Sequence, residues 1–145
     1  KGILSRIEFR TGTKYKKDRV LQIFYFEKPN ILYGGFFMIE KRYEFTFSDA
    51  KTIERVVSDD NVDINHMILP KGDALPEHYT NSNVYMIVVR GEISLQLGTQ
   101  DEHTYPAGSI IAIPYKTKMN ARNNHEEVLE FFVVKAPSPK TFAKN

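Results

Sequence analysis

Past residue 42, short runs of alternating apolar and polar residues are cut, at roughly 8–12-residue intervals, by glycine, proline and Asn/Asp clusters, a pattern that suits a β-sandwich or barrel. Residues 43–47 alternate until Ser48-Asp49 breaks the run. Residues 52–57 suit either a strand or one helical turn, and Asp59-Asp60-Asn61 marks a turn. In residues 62–69, Val62, Ile64, His66 and Ile68 share one face. Residues 84–89 are a continuous apolar run rich in β-branched side chains, which predicts a strand buried on both sides. After Gly91-Glu92, Ile93, Leu95 and Leu97 alternate with Ser94 and Gln96. Further strands are expected over 109–113, 118–122 and 128–134, with turns at 98–102, 106–108 and 123–127. No helix of ordinary length and no internal repeat is visible. The fold class is all-β.

The chain of 145 residues fits one domain. It has no cysteine, which excludes disulfides, thiolate zinc sites and cysteine nucleophiles. Apolar runs are too short to span a bilayer as a helix, and the first residues are charged rather than signal-like. A soluble, cytoplasmic protein with no membrane partner is therefore expected. The net charge of +2 is uneven. Residues 1–37 carry eight Lys/Arg and three Asp/Glu, whereas 38–145 carry the remaining 12 basic and 15 acidic residues. A nucleic-acid reader concentrates positive charge on its folded binding face. Here the folded part is mildly acidic, so no nucleic-acid partner is expected.

Residues 1–37 form an N-terminal extension distinct from a domain over 38–145. Residues 19–26 have strand character, and Gly34-Gly35 has turn chemistry. Two origins are open. Gly34 to Met38 can be encoded by a purine-rich ribosome-binding sequence ahead of a start codon, so the native chain would begin at Met38. Alternatively, the extension is a genuine strand that adds to a sheet edge or swaps to a partner.

Two stretches match, in order and spacing, the paired motifs of the cupins, and the chain resembles a small single-domain cupin of unassigned function. In the first motif, Gly72 precedes His78 by the usual spacer, Thr80 stands at the second histidine, Val84 or Tyr85 at the glutamate, and Gly91 closes the motif. In the second, Gly108, Pro114 and Asn123 fit, whereas Lys116 replaces a glycine and Met119 the histidine. Pro106-Ala107-Gly108-Ser109 also resembles the turn into that motif. The resemblance implies a cupin jelly-roll β-barrel, commonly a homodimer. It does not imply one chemistry, because the fold hosts enzymes and binding proteins alike.

Cupins hold a metal with three imidazoles and a carboxylate, a set suited to first-row transition ions. Only His78 keeps its position, so the metal site is degenerate and no cofactor is predicted. A rebuilt transition-metal site from His66, His78 and Met119 would be soft and suit Cu(I). For His66, a hydrogen-bonded core role is the competing account. His103 is expected in a surface turn and His125 solvated in a polar one. The ligand-binding candidates are His78, Thr80, Tyr85, Met119 and Asn123, with Ile87, Val89, Ile111 and Phe131 as apolar walls. Three functions follow. The first is a small-molecule-binding cupin without a standard metal. The second is an enzyme (a dioxygenase or isomerase, for example) that uses a non-standard metal site or His78 as a metal-free acid/base. The third is a structural or interaction protein whose barrel is filled by side chains. No phosphate loop or Gly-x-Ser-x-Gly elbow is present. Lys116, Lys118 and Arg122 form a basic patch at the rim.

Overall fold

The computed structural model describes residues 39–143. The expectations for residues 1–37 lie outside this range. Among the described residues there are nine strands: β1 (Thr52–Ser58), β2 (Asp63–Leu69), β3 (His78–Tyr79), β4 (Val84–Arg90), β5 (Glu92–Leu97), β6 (His103–Pro106), β7 (Ile110–Ile113), β8 (Lys118–Arg122) and β9 (Leu129–Lys135). A four-residue helix, α1 (Pro139–Phe142), follows them. No helix among the described residues is long and apolar enough to cross a membrane.

The strands form two antiparallel sheets. One has the order β1-β2-β9-β4-β7 and the other β3-β8-β5-β6. Alternation decides which side chains meet between them. Leu69, Met86, Val88, Leu129, Phe131 and Val133 from the first sheet pack against Ile93, Leu95, Met119 and Ala121 from the second. Phe131 is fully buried, and its truncation to alanine costs about 3–5 kcal/mol by loss of burial plus a cavity.

The chain passes from β4 to β5, and so from one sheet to the other, through Gly91 alone. Its φ is +69°, and a Cβ there would lie 2.6 Å from the Val128 carbonyl oxygen. Both the left-handed backbone and the close approach require glycine. Asn123, at the end of β8, is fully buried. Its amide donates to the carbonyls of Leu69 (2.9 Å) and Glu127 (2.8 Å) and accepts from the His125 N–H (2.9 Å), which ties the 123–128 turn to the end of β2.

Three local expectations differ from the structure. Residues 43–47 alternate but join no ladder. They cross the outer face of the five-stranded sheet, where the Phe45 ring lies 4.8 Å from that of His66 and 5.1 Å from that of Phe132. The apolar run at β4 is buried on one side only. Val84, Met86 and Val88 are interior, whereas Tyr85 and Val89 are 47% and 46% exposed on the other face. His103 lies in β6 rather than in a turn, and pairs with Leu95.

Candidate functional site

A cavity of about 40 Å³ opens at one end of the space between the sheets. β2 contributes Asn65 and Met67 to its lining, β3 and the loop after it His78, Thr80 and Asn81, and β4 Val84. Met119 comes from β8, Val133 and Lys135 from β9, and Leu75 from the β2–β3 connection. The floor is apolar and the rim polar.

His78 and Met119 are direct cross-strand partners. The Nδ1 atom of His78 lies 2.8 Å from the Pro76 carbonyl oxygen. A carbonyl only accepts, so Nδ1 carries a proton and Nε2 is the free ring atom. Thr80 is buried with its hydroxyl committed. It donates to the Pro114 carbonyl (2.6 Å) and accepts from the Thr117 N–H (2.9 Å). Backbone bonds from Thr80 N–H to Thr117 and from Lys116 N–H to Thr80 complete the stitch. Thr80 thus lines the cavity by its carbon skeleton while fixing the loop between β7 and β8.

The other two ligand-binding candidates lie elsewhere. Tyr85 is on the outer face of its sheet, because Val84 and Met86 take the inward positions of β4. Asn123 does not line the cavity, and its amide is used by the turn it closes. Of the expected walls, Phe131 and Ile111 pack with the core, whereas Ile87 and Val89 alternate outward with Tyr85.

His66 is fully buried on the opposite face of the sheet from the cavity, because Asn65 and Met67 are the inward neighbours on β2. Its Nδ1 lies 2.8 Å from Glu54 Oε1 and its Nε2 2.9 Å from Glu130 Oε1. Both ring nitrogens are therefore engaged. The network continues outward. Thr46 donates to Glu54 through its N–H (2.7 Å) and hydroxyl (3.0 Å). Arg90 Nε sits 3.2 Å from Glu130 Oε2, too poorly aligned for a hydrogen bond, while its Nη1 donates to Asp49 at 2.6 Å. Burial pushes the Glu54 carboxyl up, but the Thr46 and His66 hydrogen bonds outweigh it and hold the group below its usual range.

A His66–His78–Met119 set is thus not assembled, since one histidine faces away from the barrel interior. At the family's four ligand positions stand His78, Thr80 with its hydroxyl committed, the hydrocarbon Val84 (or outward Tyr85), and Met119. One imidazole and one thioether do not fit a divalent ion. Among the described residues, no three His, Cys, Asp or Glu side chains gather as a metal-binding group.

Lys135, Asn65 and Asn81 complete the rim and were not anticipated. Lys135 was legible: Leu129, Phe131 and Val133 alternate inward along β9, and Lys135 is the next inward position. Its amine is half-buried, and burial pushes its pKa down. The Asp63 charge opposes that shift and the Arg55 charge adds to it.

Comparison with known proteins agrees with the fold. Residues 65–135 match the model of the cupin domain. An uncharacterised protein of Methanocaldococcus jannaschii, MJ0764, is 49% identical over 105 residues, which is 71% of this chain and 90% of the relative. Its crystal structure, described as an RmlC-like cupin with a double-stranded β-helix fold, has a TM-score of 0.71 at 45% identity and covers 73% of this chain and 98% of that one. A double-stranded β-helix protein from Klebsiella pneumoniae shares the fold at 18% identity, with a TM-score of 0.57 and coverage of 66% and 84%. With a relative of this identity spanned almost end to end, and with the two sheets joined as the turn markers require, the chain belongs to the cupin family.

Proposed function

We propose that this protein is a small-molecule-binding cupin whose ligand engages the barrel mouth around His78 without a resident divalent metal. The observation that carries this reading is a cavity with an apolar floor of Met67, Met119 and Val133 beneath a rim of His78, Asn65, Asn81 and Lys135. A few placed polar groups over an apolar lining are the usual make-up of such a site. At about 40 Å³, the space is far below the roughly 300–1,000 Å³ of pockets for drug-sized ligands. The ligand is therefore a small compound, or one that inserts only its tip.

A thermal-shift screen tests the reading. Small organic acids, sugars and amides are compared with Mn, Fe, Ni, Cu and Zn salts, on the wild type and on His78→Ala. The expected result is stabilisation by a small organic compound, lost in His78→Ala, and none by the metals. Stabilisation by one divalent metal alone would contradict it.

The Pro76 carbonyl favours a second reading, because it orients His78 and leaves Nε2 as the group able to exchange a proton. On this reading the protein is a metal-free acid/base enzyme. Turnover of a compound found in the screen, abolished by His78→Gln with binding retained, distinguishes it from a binding protein. We also propose the homodimer that family membership suggests. Its support is the exposed apolar outer face of β4 and β7, with Tyr85, Val89 and 67%-exposed Ile110.

A further inference from the structure

We infer that the ligand of the barrel mouth is a small organic carboxylate, with Lys135 as its counter-ion. The inference rests on the proposal that the mouth is a binding site, and it names the chemical class that site would select.

Lys135 is a half-buried cation on the inner face of β9, between Asp63 on β2 and Val84 on β4. Asp63 is the one carboxylate beside it in register, and that carboxylate is held by other groups. Its Oδ1 accepts from the Ser58 hydroxyl (3.2 Å) and the Ser138 hydroxyl (3.0 Å), and its Oδ2 lies 3.9 Å from Arg55 Nε. Among the described residues, Lys135 makes no ion pair within 4.0 Å. A lysine is rarely buried without a partner, and here the space beside it is the cavity. Burial lowers the affinity of its amine for a proton, and the Asp63 charge, offset by that of Arg55, does not restore it.

The neighbours at the rim suit an anion. Asn65 and Asn81 line the same cavity, and each carries an amide able to donate to a carboxylate oxygen. Glu77, beside His78, is paired with Lys118 at 2.9 Å, so its charge is already matched. With one ammonium and little room, a monovalent, planar carboxylate fits better than a dianionic phosphate. A short apolar tail would then rest on Met67 and Met119.

The experiment is an NMR titration of the full chain with acetate and propionate, against the neutral isosteres acetamide and propionamide, at ionic strength fixed with sodium chloride. The expected result is perturbation of the Asn65, His78 and Lys135 amides, with the carboxylates binding roughly tenfold or more tightly than the amides, as suits a charge-assisted contact. Lys135→Met and Lys135→Gln should erase that preference, and Lys135→Arg should retain most of it. The melting temperature of Lys135→Met should rise, since an ammonium without an ion pair is removed from a half-buried position. Equal binding of carboxylates and amides would overturn the anion inference and leave the pocket reading standing. Absence of binding by all four compounds would overturn both.

Discussion

Single residues carry the sharpest consequences. At Gly91, any side chain meets the Val128 carbonyl oxygen at 2.6 Å and forces a β-carbon into a left-handed backbone. Gly91→Ala should therefore lose about 2 kcal/mol or more in chemical denaturation, from the backbone penalty and the overlap together. Lys116 is the converse case. It has φ +62° with a β-carbon present, at the place where the family pattern has glycine. Relief of that strain exceeds the extra unfolded-state entropy of glycine. Lys116→Gly should raise stability by up to about 1 kcal/mol, checked by the same denaturation.

Lys135 adds a pH signature. Its proton affinity is lower in the folded chain than in the unfolded one. Between the two pKa values the unfolded state holds more protons, so stability rises with pH there. Below that window the group is charged in both states, and burial of its ammonium lowers stability. Lys135→Met should thus flatten the alkaline part of the stability–pH profile, measured by thermal melts below and up to the usual lysine range. Sequence spacing placed well what sequence neighbours determine, such as the turn at Gly91. Tyr85 and Asn123 show the limit. Spacing puts a residue on a strand, but which face is interior depends on the partner sheet.

At the level of elements, the stretch from residue 43 to 49 illustrates how a local pattern can mislead. Its alternation is strand-like, but β1 takes the place beside β2, and these residues lie instead over the sheet's outer face. Phe45 covers His66 and Phe132, Thr46 binds Glu54, and Asp49 binds Arg90. The bulge between Val88 and Arg90 shifts the register so that Arg90 falls opposite Glu130, as bulges re-aim side chains. Glu54 ties this layer to pH. Its folded pKa is depressed, so its stabilising contribution is full above the unfolded value and is lost as pH falls through the folded one. Hydrogen exchange of residues 43–49 should accelerate, relative to the core strands, as pH drops below the ordinary glutamate range after correction for intrinsic rates. Glu54→Gln should remove that acid dependence. An unchanged pH response in the variant would contradict the role assigned to Glu54.

For the whole molecule, the all-β barrel was legible because glycine and proline corners fall at fixed distances along the chain. The site was only partly legible, because an inward face collects residues distant in sequence. Asn65 and Lys135 meet His78 through β2 and β9, which no local motif joins. His66 was separated from the site by one step of strand alternation. Assembly is a molecule-scale property too. A homodimer predicts a light-scattering mass about twice that of the 16.8 kDa chain, and Ile110→Glu on the exposed face should reduce it towards the monomer. A single-chain mass for the wild type would contradict it. The central claim, an organic-ligand site in a cupin without a divalent metal, meets its most direct test in metal content. Purified full chain would be exposed to Mn, Fe, Ni, Cu and Zn in turn, freed of loose ions, and analysed by mass spectrometry. The account predicts substoichiometric content for all five. A near one-to-one content of a single metal, lost in His78→Ala, would contradict it.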